Sequence, residues 1–228
     1  GNIAKNAINT SVTTDQGAAT LTNTSVGTGG ANAETIEHAK RYAPLNFRRQ
    51  DRLVTLEDYS VFANTFISTF GTIGKATAAT RQAYSSANVI DIYVLEKASD
   101  FQLQRATTNF KTQLLTKINK KKMATDDVVI VDGLIRTLDL ITTINIDKEE
   151  EDNQTAIIAK VRDAVLNFMN VDNREFGEAL VLADLNRAIF EIPEVRYSTI
   201  DNVPENVLVD FNEIIQLNNL SINVTLLD

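Results

Sequence analysis

Gly29-Gly30-Ala31-Asn32-Ala33-Glu34-Thr35, then Arg41-Tyr42-Ala43-Pro44, then Arg49-Gln50-Asp51-Arg52-Leu53-Val54-Thr55-Leu56-Glu57-Asp58-Tyr59 is the stretch on which the reading of this chain turns. It holds a turn, a helix start, a proline break and a second helix start. Asn32 is placed to cap a short helix over 34–41, with Glu34 and Glu37 near the positive end of its dipole. Pro44 is expected to end that helix, because the residue before a proline is pushed out of the α region. Thr55 opens the next one, with Glu57 and Asp58 in its first turn. Tyr59, Phe62, Ala63, Phe66, Ile67 and Phe70 recur at threes and fours, so one face packs inward until Gly71 and Gly74 stop the run.

Working outward, residues 1–33 are rich in Asn, Thr, Ser, Gly and Ala and carry few large apolar side chains. Such a segment cannot bury enough surface to fold alone. It reads as an extended N-terminal arm or the end of an upstream domain. Its Thr-rich pieces, 10–14 and 20–25, suit strands laid on a partner sheet or a neighbouring chain. C-terminal to the deciding stretch, 75–84 and 88–95 read as strands. Ser99 and Asp100 are expected to cap a helix to about Lys122, with Phe101, Leu103, Phe110, Leu114, Leu115 and Ile118 inside. Val128 to Val131 is a strand closed by Asp132-Gly133.

A second unit follows. Residues 138–146 alternate as a strand, 147–153 form an acidic loop, and 155–169 form a helix with Ile157, Val161 and Val165 inward. A short helix over 182–192 ends at Pro193. Residues 195–200, 207–211 and 220–226 read as strands, the last two as a hairpin through Asn218-Asn219. The fold class is therefore α+β: two small α/β units, 34–133 and 134–228, with mixed sheets flanked by helices, plus the arm over 1–33.

At 228 residues and 43% apolar composition the chain can bury a real core. It has no cysteine, which excludes disulfides and thiolate metal sites. The net charge of −8 argues against a nucleic-acid surface. The exception, Lys117 with Lys120, Lys121 and Lys122, falls where a helix should end and where cations meet unpaired carbonyls. No apolar run reaches the ~20 residues that span a bilayer. The start lacks both Met and an apolar leader core, as expected of a fragment of a longer protein.

The apparent chemical motifs dissolve on inspection. Gly27-Thr28-Gly29-Gly30 lacks the buried strand and third glycine of a dinucleotide loop. Gly71-Thr72-Ile73-Gly74-Lys75-Ala76 has two residues between its glycines where a P-loop has four, and Ala76 where Ser or Thr would reach Mg²⁺. The acidic run from Asp147 lacks the Gly and the final Glu of a calcium loop. His38 is the sole histidine, expected on an exposed helix face, with no second His to share a metal or a triad. No spacing singles out a carboxylate pair. We expect no catalytic residue, cofactor or metal.

One constellation stands out: Phe47, Arg48, Arg49, Arg52, Glu57, Asp58 and Tyr59. Guanidiniums beside carboxylates and aromatics suit bidentate positioning, either as an internal clamp or across a protein–protein interface. The same stretch carries a resemblance. Gly29, Gly30, Ala33, Glu34, Ala43, Pro44, Arg52, Val54, Thr55, Asp58 and Tyr59 form a pattern similar to the core of the baseplate J family of contractile-tailed phages. The run FGEALVLADL from Phe176 and IPEV from Ile192 resemble that family's terminal region. Members commonly carry Asn where Asp51 stands, and the arm before Gly27 has no counterpart in the pattern.

The resemblance implies a structural component of a baseplate wedge in the virion tail, assembled in the host cytoplasm. It implies self-contacts (a homodimer or ring) and contacts with other wedge subunits, joining wedges into an inner ring that relays conformational change to the sheath. The acidic charge and the lack of a spanning apolar run lead us to expect no nucleic-acid or membrane partner. The rival expectations are a tail adhesin or receptor-binding domain, which the Thr/Asn-rich arm suits, and a tail hydrolase, which would need a cleft of perturbed carboxylates.

Overall fold

The computed structural model describes residues 3–15, 17–31, 33–69, 71, 73–81, 88–99 and 101–227. Asn32, Phe70, Asp100 and the end of the strand expected to Tyr84 lie outside them. The protein is α+β, with five α-helices and three sheets among the described residues. The strands are β1 (Asn9–Thr14), β2 (Gly17–Thr22), β3 (Gly74–Thr80), β4 (Asn88–Ser99), β5 (Gln102–Arg105), β6 (Asp126–Asp132), β7 (Leu134–Asp147), β8 (Val195–Ile200) and β9 (Glu213–Leu227). The helices are α1 (Ile36–Arg49), α2 (Leu56–Asn64), α3 (Thr108–Ile118), α4 (Gln154–Phe168) and α5 (Leu182–Phe190). Two compact units result: Gly1–Gly74, Ala78–Ile92 and Ala106–Ile130 in the first; Lys75–Thr77, Tyr93–Arg105 and Val131–Asp228 in the second.

In the first unit β1 and β2 form an antiparallel hairpin of six residue pairs. Helices α1, α2 and α3 surround buried Tyr42, Leu53, Tyr59, Val61, Phe66, Phe110, Leu114 and Ile118. Phe66 meets Phe110 edge-on, ring centres 5.3 Å apart, a geometry that adds to plain area burial.

Helix α1 corrects the sequence reading. It starts at Ile36, capped by the Thr35 hydroxyl, and runs through Pro44 to Arg49. Tyr42 and Arg49 are both buried and lie seven residues apart, so one inward face continues past the proline. Helix α2 begins as expected at Thr55 but ends at Asn64, short of the glycines. There Asn64 donates to the Ser60 carbonyl at 2.9 Å, and the Thr65 hydroxyl to that of Val61 at 2.8 Å. Such side-chain bonds compete with the backbone ladder. The helix expected over 99–122 is shorter: β4 runs on to Ser99, β5 follows, and Thr107 caps α3 through the Phe110 amide. Leu103 is thus a strand residue, while Phe110, Leu114 and Ile118 are buried as the periodicity requires.

In the second unit β7 is the middle strand of the order β8-β7-β9, antiparallel to β8 and parallel to β9. A parallel pair needs a long crossover, here the segment carrying α4, α5 and β8. Leu140, Ile144 and Ile146 of β7 share a core with Ile157, Val161 and Val165 of α4 and Leu185 and Ile189 of α5. Each such side chain contributes roughly 1.5–3 kcal/mol on burial. The expected hairpin at Asn218-Asn219 does not form. Both residues lie within β9, where the register slips by one, and both donate to Asp139 Oδ1, at 2.8 and 3.0 Å. Residues 207–211 make no strand, only an isolated bridge from Val207 to Leu180. At Gly133, between β6 and β7, a Cβ atom would stand 2.6 Å from the Phe176 ring, which would have to shift to admit it.

Candidate functional site

The expected constellation spans the end of α1, the turn after it and the first turn of α2. Gln50 and Asp51 close α1 in left-handed conformations, φ 50° and 63°. That region disfavours most side chains but tolerates Asn and Asp. Asp51 therefore fills a position whose backbone equally suits the Asn common in the resembling family. The turn delivers Leu53 beside Lys122, with the Leu53 amide donating to the Lys121 carbonyl at 3.1 Å. Lys121 in turn pairs with Asp51 and lies over the Phe62 ring. That pairing holds the Asp51 carboxyl below its ordinary range. Lys122 donates to the Asp126 carbonyl. Two of the clustered lysines are thus engaged in bracing the turn.

Three of the named residues face inward. Arg49 is 8% exposed. Its Nη2 and Nε donate to Asn46 Oδ1 at 2.6 and 3.2 Å, and its guanidinium stacks over Phe62 at 4.9 Å. Asp58 completes a capping box: Oδ2 accepts from the Thr55 and Val54 amides at 2.9 and 3.1 Å, while the Thr55 hydroxyl accepts from the Asp58 amide. Partial burial pushes the Asp58 carboxyl up, but the amide bonds outweigh it and hold the group below its ordinary value. Tyr59 is fully buried, and its hydroxyl donates to Asp126 Oδ2 at 2.7 Å. Burial first, then the Asp126 carboxylate, push the phenol well above its ordinary range.

The other four, Phe47, Arg48, Arg52 and Glu57, face solvent. Phe47 is 86% exposed. Arg48 reaches Glu57 at 3.3 Å between two exposed side chains, a pair worth at most about 1 kcal/mol. The Arg52 guanidinium donates to its neighbour Gln50 at 3.3 Å. A residue missing from the sequence reading joins them. Ile36, 71% exposed, lies on the same face of α1 as Ala43 and Phe47, because spacings of seven and four return to one side of a helix. Lys40 interrupts this stripe and is paired with Glu37 at 3.0 Å. The signal was the 36–40–43–47 spacing, hidden by the expectation that Pro44 stops the helix.

The remaining candidates resolve locally. Gly29, at φ 87°, donates its amide to the distant Thr69 carbonyl, and Gly71, at φ 80°, donates to Ser68 within a turn, so both amides are used inside the fold. His38 is half-buried, its Nδ1 at 2.5 Å from Glu34 and its ring 4.6 Å from that of Tyr42. Asp147 accepts twice from Arg196, at 2.8 and 2.7 Å. A cleft of about 660 Å³ between α4 and α5 is lined by Arg174, Glu178, Asp184, Arg187 and Glu191, among others. Arg174 is spent on the Glu178 and Ala179 carbonyls and the Glu178 carboxylate, and Asp184 on Arg187. Burial lowers the Arg174 guanidinium from its ordinary value. Among the described residues no helix is long and apolar enough to cross a membrane.

No family model matches the chain, and no curated protein matches it. Among solved structures it is similar to a chain of the anti-feeding prophage (AFP) baseplate, a 6-fold symmetrised cryo-EM structure, with a TM-score of 0.48 and 9% identity. That match covers 91% of this chain and 47% of the other, so this chain spans about half the length of its neighbour.

Proposed function

We propose that this chain is a non-catalytic structural subunit of a contractile-tail baseplate. In this reading it joins wedges into the inner ring through contacts with copies of itself and with other wedge subunits. Two features support the reading: the sequence pattern from Gly29 to Tyr59 resembling the baseplate J family, and the use of that segment in the fold. The carrying observation is the exposed apolar stripe Ile36–Ala43–Phe47, with Arg48 next to it in α1 and Arg52 exposed in the turn that follows. Aromatic and arginine side chains are enriched where proteins meet. Beneath this surface, the Asp58 cap, the stacked Arg49 and the Tyr59–Asp126 bond hold α1 and α2 rigidly. A ring subunit that passes a conformational change onward needs such a stiff platform, because coupling runs through elements with discrete arrangements.

The test is assembly. A Phe47→Asp/Ile36→Asp variant in the full tail-assembly system should keep the parental melting transition and lose incorporation into tails by more than ~10-fold, the loss of one interface anchor. Unimpaired incorporation would remove the stripe from the account.

A further inference from the structure

Among the described residues β9 pairs with one strand only, β7, and beyond Glu213, whose carbonyl accepts from the Gly177 amide at 2.8 Å, its other edge takes no backbone bond. After the slip at Asn218, nine regular residues, Asn219–Leu227, present the other edge, a rail of about 30 Å at 3.3 Å per residue. Exposed edges are usually blunted by charge or proline. This one has neither: from Ile214 to Leu227 there is no charged residue and no Pro. Its inward side chains, Leu220, Ile222 and Val224, pack on the second unit's core, so the rail is held straight by that core.

The hairpin β1–β2 has the opposite deficiency. Residues Asn9–Thr13 and all six of β2 are exposed, so among the described residues no layer covers either face. An isolated two-stranded sheet is marginal in water. Yet its base is fixed. Asn23 accepts from the Ile8 amide and donates to the Ala4 and Ser25 carbonyls, each at 2.8 Å. Strand β1 is rich in β-branched Thr and Val, and neither strand carries a charge. In a chain of net charge −8, two neutral edges are where copies can approach without like-charge repulsion.

We propose that β1 of one copy adds to the outer edge of β9 of a second copy, extending its sheet to β8-β7-β9-β1-β2. Backbone bonds supply the affinity, as in other strand additions. This names one self-contact within the proposed function and rests on that reading only for its biological setting. The test uses the purified full chain without tail components, so the two fail separately.

Hydrogen exchange should show the Asn219–Leu227 amides slowing with protein concentration by about tenfold, the worth of one net hydrogen bond, in step with a rise in sedimenting mass. Val12→Pro, which removes a β1 amide and breaks that strand, should abolish both changes, while Val12→Thr keeps them. Unchanged β7 amide protection certifies that each variant remains folded. A chain that stays monomeric with no slowing overturns the proposal. So does slowing that survives Val12→Pro, since β9 would then have found another partner.

Discussion

The Tyr59 hydroxyl and the Asp126 carboxylate are 2.7 Å apart and both buried, so at this residue the internal-clamp alternative is the one the fold uses. The periodicity put Tyr59 on an inward face, which holds. Asp126 lies 67 positions away, and no local pattern could pair the two. Tyr59→Phe should destabilise the chain by about 1–3 kcal/mol, because Asp126 Oδ2 is left buried without its donor; urea unfolding measures this. Asp58 was more legible, since a Thr followed three residues later by an acid is a local signature. Asp58→Asn should cost about 1 kcal/mol at neutral pH, typical of a lost cap. The folded pKa of Asp58 is depressed. Its contribution is therefore full above the ordinary aspartate value and disappears as pH falls through the folded value. Melting curves of parent and variant should stand apart at pH 7 and begin to converge only as pH falls below about 4.

At the scale of elements, α1 is where local rules misled. Pro44 lacks an amide and crowds the Lys40 carbonyl, yet the helix continues because Tyr42 and Arg49 need the same face. Pro44→Ala should therefore stabilise the chain, by about 1–3 kcal/mol, with a rise in melting temperature. No change would mean that α1 bends to absorb the ring without loss. Gly133 is the opposite case, a turn glycine of ordinary appearance in sequence. Its need for glycine comes from Phe176, 43 positions on. Gly133→Ala should cost about 1–3 kcal/mol through overpacking, read by denaturant midpoint. The long helix expected after Ser99 failed for a related reason. The tail of β4 and all of β5 are short apolar-polar alternations that a helical window absorbs, and only pairing between the two strands, Leu95 with Arg105 onward, separates them.

For the whole molecule, the α+β class and most elements of the second unit were legible because α4, α5, β7 and β8 carry strong local periodicity. The parallel pairing of β7 with β9 was not, since adjacency in a sheet leaves no local trace across a crossover holding two helices. The candidate surface was half legible. Residue types named Phe47, Arg48 and Arg52, but Ile36 required knowing that α1 is one unbroken helix. The exposed stripe, the stiff turn beneath it and the family-like pattern are what the proposed joining role rests on. The most direct measurement is cryo-EM of intact tail particles carrying a density tag on this chain. The account predicts copies in a ring around the tube within the baseplate, with α1 against a neighbouring subunit. Tag density at fibre tips, or none on the particle, would contradict it.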